Sequence, residues 1–162
     1  MKIGVIGVGN ILLRDDGVGP KVVEQLKKNY IFEPEVEIID GGTLGLDLLH
    51  YLEKFERLII IDIADFGKEP GFIDVVKADD IPPYLKPKLS AHHVGVQDLL
   101  EVAKFIGVLP KEIILVGIQP KSIEVGLDLS DVVADKIDEL INKVLEILNS
   151  WSVKCVLRFH QK

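Results

Sequence analysis

Four short, almost uninterrupted apolar runs constrain this chain more than anything else in it: Lys2–Val8, Val36–Asp40, Leu58–Ile63 and Ile113–Ile118. A strand with one face in water alternates polar and apolar residues; a strand covered on both faces does not. Between the runs lie segments of helical period. Pro20–Lys28 is the first, and Leu44–Phe55 follows, with Thr43 as N-cap. Val94–Ile106 carries the stripe Val96, Leu99, Leu100, Ala103 and Ile106. The longest runs from Asp131 to Leu148 behind Ser130 as N-cap, with Val133, Ile137, Leu140, Ile141, Val144 and Leu148 as its stripe. Phe72–Val76 is a candidate fifth strand. Strand and helix alternating in this way predict an α/β fold, a three-layer sandwich with a mostly parallel central sheet.

The 162 residues suit a single domain, 1–162, with a tail, 151–162, whose Val153–Phe159 alternation fits either an added edge strand or a partner contact. A net charge of −7 argues against nucleic acid as a partner, since phosphate binding needs a basic face. No apolar run approaches the ~18 residues of a membrane span, and Met1-Lys2-Ile3 opens a strand rather than a signal peptide. The lone Cys155 excludes an internal disulfide framework and a cysteine-rich zinc site, so a reduced, cytoplasmic setting is expected; the chain is expected to be a monomer. Abundant Lys, Glu, Ile and Val with few Asn, Gln, Met and Cys resembles a thermophile composition.

Open α/β sheets bind ligands beyond the carboxyl ends of their strands. Here those ends are Gly7–Asn10, Asp40-Gly41-Gly42, Asp62 and Gly117–Pro120, an edge rich in glycine and polar groups. After the first run the chain reads Gly7-Val-Gly-Asn-Ile-Leu-Leu-Arg-Asp-Asp-Gly-Val-Gly19, placing Asp15 and Asp16 in a glycine-punctuated strand-to-helix crossing. At least one of them is expected to serve the helix near Pro20 as N-cap or first-turn anion. Asp62 closes an apolar run, where an unpaired charge is costly, and its plainest role is to hold a loop or a helix end. Two further donors, His92 and His93, stand at the entrance to the third helix. One imidazole with two carboxylates leaves open positions on Zn²⁺, Ni²⁺ or Mn²⁺, as a metal reached by substrate requires.

Nucleotide binding is the main rival, because Gly7-Val-Gly-Asn-Ile-Leu12 begins like Gly-x-Gly-x-x-Gly and Asp40 ends the second strand. Leu12 replaces the third glycine, however, and two carboxylates would repel a pyrophosphate.

Asn10-Ile-Leu-Leu-Arg-Asp-Asp-Gly-Val-Gly19, Asp40-Gly-Gly-Thr43, Ile61-Asp-Ile-Ala-Asp65, His92-His-Val-Gly95 and Gly117-Ile-Gln-Pro120 together resemble the hydrogenase maturation endopeptidases in order and spacing, over roughly residues 1 to 148. The resemblance implies a phosphorylase/hydrolase-like sandwich and a protease that trims the C-terminal extension of a nickel-iron hydrogenase large-subunit precursor after nickel insertion. It implies that Asp16, Asp62 and His92 line the nickel-sensing, catalytic site, with His93 at a variable position. It implies that Gly41, Gly42 and Thr43 help seat the substrate peptide. The metal would be nickel presented by the substrate, or zinc or another divalent ion in its place. No Ser or Cys has an evident base, so attack by water on a polarised carbonyl is the expected chemistry. The alternatives are a non-catalytic nickel- or nucleotide-binding module, and a related sandwich hydrolase.

Overall fold

A computed structural model describes residues 2–42, 49–77 and 103–158. In chain order it contains β1 (Ile3–Val8), a 3-10 helix (Arg14–Gly17), α1 (Val18–Asn29), β2 (Tyr30–Glu33), β3 (Val36–Gly42), α2 (Leu49–Lys54), β4 (Arg57–Ile63), β5 (Ile73–Lys77), β6 (Glu112–Ile118), α3 (Asp131–Ala134), α4 (Ile137–Ser150) and β7 (Lys154–Leu157). Residues 103–106 are helical as well; the rest of the expected Val94–Ile106 helix, and the start of the Leu44–Phe55 helix with its cap Thr43, lie outside the described residues.

The main sheet has the order β3-β1-β4-β6-β5. The first four strands run parallel, and β5 pairs antiparallel with β6. All four apolar runs became neighbouring strands, with β1 and β4 in the middle. Alternate residues serve opposite faces, as a period of two demands. Ile3, Val5, Ile59, Ile61, Val116 and Ile118 pack with α1 and α4, through Val22, Leu26, Leu140, Val144 and Leu148. Ile6, Val8, Leu58, Ile60, Ile113 and Leu115 pack on the other side with Leu52, Phe55 and Ala103.

Two local outcomes differ from the periodicity. The single helix expected over Asp131–Leu148 is divided, because the Lys136 amide bonds the Val133 carbonyl, an i−3 closure that tightens the turn before α4 starts. The tail forms β7, and it pairs antiparallel not with the main sheet but with β2, a strand the apolar pattern does not announce. Ser152, at φ 65°, ends α4 in a left-handed turn closed by the Val153 amide on the Leu148 carbonyl, which drops Val153 into the core.

This ribbon leaves from the amino edge of the sheet. Trp151 stacks over Arg57 at 5.5 Å and donates to Glu112 at 3.2 Å, and Arg57 and Glu112 are the paired first residues of β4 and β6. The carboxyl edge, with its glycines and carboxylates, is at the opposite end.

Candidate active site

The turn after β1 sets the site's geometry. Gly9 sits at φ 142°, and a Cβ there would collide with the carbonyl oxygen of Asp16, so only glycine lets the returning loop lie this close. The Gly9 amide donates to the Gly42 carbonyl at 3.0 Å, tying the end of β1 to the end of β3. Asp40 accepts from the Gly42 amide at 2.9 Å, and Gly42 takes a φ of 45°. The pairing slips by one residue here, Gly7 facing Asp40 and Val8 facing Gly42. Gly41 is the extra residue, and it turns the Gly41–Gly42 backbone in against β1.

Asp16 lies in the 3-10 helix, 1% exposed, and its carboxylate accepts from the Asn10 amide at 2.9 Å. Asn10 folds its own side chain back to the Leu12 amide. Two residues beyond the 3-10 helix, Gly19 presses α1 onto the sheet so closely that a Cβ would stand 2.6 Å from the Val8 carbonyl and 2.5 Å from that of Ile61. That contact holds the start of α1 over the ends of both β1 and β4. Asp62 follows Ile61, is fully buried, and accepts from the Ile63 amide at 2.8 Å. Asp62 pairs in register with Gly117, and strand alternation turns it to the face of Leu58 and Ile60, the α2 side.

Asp62, Gly41 and Gly42, at the ends of β4 and β3, and Asp16, in the 3-10 helix that follows β1, therefore share the carboxyl edge. His92, His93 and Thr43 lie outside the described residues. Among the described residues no group of three or more His, Cys, Asp or Glu side chains is placed to hold a metal ion. A three-donor site must draw on a residue beyond them, as the expectation for His92 does.

Asp15, next door, has a different task. Its buried carboxylate accepts four hydrogen bonds, from the amides of Lys121, Ser122 and Ser130 and from the Ser130 hydroxyl, at 2.7–3.0 Å. Burial alone pushes its pKa up; the Ser122, Ser130 and Lys121 amides and the Ser130 hydroxyl outweigh that, and the net shift is downward. Neither aspartate caps α1, whose N-cap position is Gly17. Ser130 stands at the N-cap of α3 but makes no capping bond, its hydroxyl being committed to Asp15.

Sequence reasoning missed two further organisers. Gln119 accepts from the Phe66 amide and, more weakly, from Lys68, and donates to Asp65. Asp65 in turn accepts from the Gly67 amide. Together they shape the loop leaving β4 just past Asp62. Both residues stand inside the Ile61–Asp65 and Gly117–Pro120 segments, and the signal was their polarity at strand ends. The dinucleotide alternative fails on this same edge. The loop after β1, where a pyrophosphate would rest, is filled by the 3-10 helix and its two buried carboxylates.

A family profile described as hydrogenase maturation protease matches residues 20–147. The hydrogenase 2 maturation protease of Escherichia coli is 37% identical over 159 residues, covering 98% of this chain and 97% of that protein. The chain belongs to the hydrogenase maturation protease family. It is accordingly an endopeptidase. The hydrogenase expression/formation protein HupD of Bradyrhizobium diazoefficiens is 39% identical over 154 residues, covering 94% of this chain and 80% of its own length. Among solved structures, the hydrogenase maturating endopeptidase HybD from E. coli superposes with a TM-score of 0.88 at 36% identity, over 98% of both chains. The profile match begins after Asp16, whereas the longer alignment to the E. coli protease takes in the Asp15-Asp16 loop.

Proposed function

We propose that this protease removes the C-terminal extension of a nickel-iron hydrogenase large-subunit precursor once nickel is in place. Asp16, Asp62 and His92 grip the nickel that the substrate carries. The observation that carries this reading is a pair of carboxylates, each at most 1% exposed, held at the carboxyl edge beside the Gly41–Gly42 backbone. Unlike Asp15, whose carboxylate is taken up by four structural hydrogen bonds, these two stand where the strand ends open a ligand crevice. Buried carboxylates in such a place suit cation or proton chemistry. Two carboxylates and an imidazole leave open positions on nickel, so a metal already bound by another protein can be engaged without being extracted. The peptide beside Gly41, Gly42 and Thr43 is then fixed relative to that metal. Water, losing its proton to a site carboxylate, adds to the scissile carbonyl carbon; the C–N bond breaks and the amine leaves protonated. Zinc or another divalent ion with the same donor preferences would occupy the grip in nickel's place. The reaction is assigned to the cytoplasm, and the protease to a monomer.

The test is incubation with nickel-loaded and nickel-free precursor, followed by mass spectrometry of the precursor's C-terminus. Cleavage of the loaded form alone is expected. Equal cleavage of both would sink the nickel grip, and cleavage of neither would sink the substrate assignment.

A further inference from the structure

Ile11, Leu12, Val125 and Leu127 are 50%, 54%, 87% and 65% exposed, an unusual density of large aliphatic side chains on loops. They belong to two segments far apart in sequence that the fold stitches together. The Gly126 amide donates to the Leu12 carbonyl and the Arg14 amide to the Gly126 carbonyl, both at 2.9 Å, making Leu13 and Gly126 a parallel bridge. The Leu12–Gly126 hydrogen bond sets Ile11 and Leu12 alongside Val125 and Leu127. The Lys21 ammonium and the Arg14 guanidinium pin the backbone further, on the carbonyls of Leu127 and Asp128. Beneath lies Asp15, joining the same two segments through its four hydrogen bonds. The apolar ledge is thus displayed on a rigid mount. Exposed aliphatic side chains gathered where two segments are stitched together point to an interaction site.

Its position says what it meets. The residue before Ile11 is Asn10, whose amide holds the Asp16 carboxylate, so the ledge is continuous with the candidate active site. We infer that this ledge is the docking surface for the folded body of the precursor, taking an apolar patch that flanks the precursor's nickel site. The inference rests on the processing reading above and adds the surface through which the protein substrate, rather than its scissile peptide, is recognised. A pre-organised apolar ledge contributes to binding mostly by avoiding ordering costs. Its loss should therefore appear in KM and not in kcat.

The experiment compares wild type with the double variant Leu12→Ser/Val125→Ser on nickel-loaded precursor, with thermal melts and sedimentation velocity on each protein. Both side chains are exposed, so the melting temperature should hold. KM should rise about tenfold or more at nearly unchanged kcat, the size expected for truncating interface anchors. The conservative pair Leu12→Met/Val125→Ile should restore it. An unchanged KM in a wild type that cleaves would overturn the docking surface while leaving the processing reading intact. A wild-type dimer that the double variant breaks would overturn it in favour of a second copy of this chain. A wild type that leaves the precursor uncut removes the processing reading and the ledge's role with it.

Discussion

Two adjacent aspartates in one loop have separate fates, and the difference is set by what faces each. Asp15 meets four donors across the loop contact and is a fastener. Asp15→Asn should cost about 2–3 kcal/mol, because an amide nitrogen would face donors inside the cluster. The sign of its pH dependence follows from its lowered pKa. Its contribution is full above the ordinary value of 3.8 and fades as pH falls through the lower native value. Urea melts should show the wild-type advantage over Asp15→Asn at neutral pH and its loss in strong acid. Asp16 and Asp62 face the site edge. Asp62→Asn keeps the shape but loses the charge, and should cut processing far more than it shifts the melting temperature. Asp16→Glu keeps the carboxylate and should be the mildest change, while His92→Ala should nearly abolish cleavage. Gel-shift processing with thermal melts on each variant checks this. A variant that loses activity only by unfolding would move that residue out of the proposed grip.

Elements divide the molecule into a working edge and a supporting one. The β2–β7 ribbon, with Cys155 opposite Phe32, lies at the amino edge, away from Asp16 and Asp62. Burial raises the pKa of the Cys155 thiol and so disfavours thiolate. Cys155→Ser should leave precursor processing within about a few-fold of wild type, and complete loss in a folded variant would revive cysteine chemistry. α4 supports from the core side. Leu148→Ala, removing a fully buried side chain, should cost about 2–5 kcal/mol in denaturant melts. The rate per folded molecule should stay near wild type.

At the scale of the whole molecule, this acidic protein carries −7 formal charge, and among its described residues no helix is long and apolar enough to cross a membrane. The proposed reading places recognition in metal coordination and local apolar contact. If nickel belongs to the substrate, treating the protease alone with a chelator and then removing the chelator should leave its activity on loaded precursor unchanged. Stripping the precursor should abolish cleavage. Activity lost on treating the protease alone would mean that it holds a metal of its own.

By itself the sequence determined the layers. Four short apolar runs with no alternation fit strands covered on both faces, with the helical stripes between them as the cover, so the fold class was legible. The same pattern marked the carboxyl edge as the place to expect a site. Of the carboxylates, the buried Asp62 was legible for the same reason, since a charge closing an apolar run has to be satisfied. Tertiary structure alone decided which partner each would meet. Nothing in Asp15-Asp16 distinguishes the two until the segment near Ser122 and Ser130, more than a hundred residues on, brings its donors to one of them. β2 was illegible because its pairing energy comes from β7, at the far end of the chain, and a strand stabilised by a distant partner has no local apolar run to announce it. The ledge beside Asp16 was hidden likewise. Ile11 and Leu12 read as ordinary aliphatic residues until the bridge to Gly126 set them beside Val125 and Leu127 and left all four in solvent.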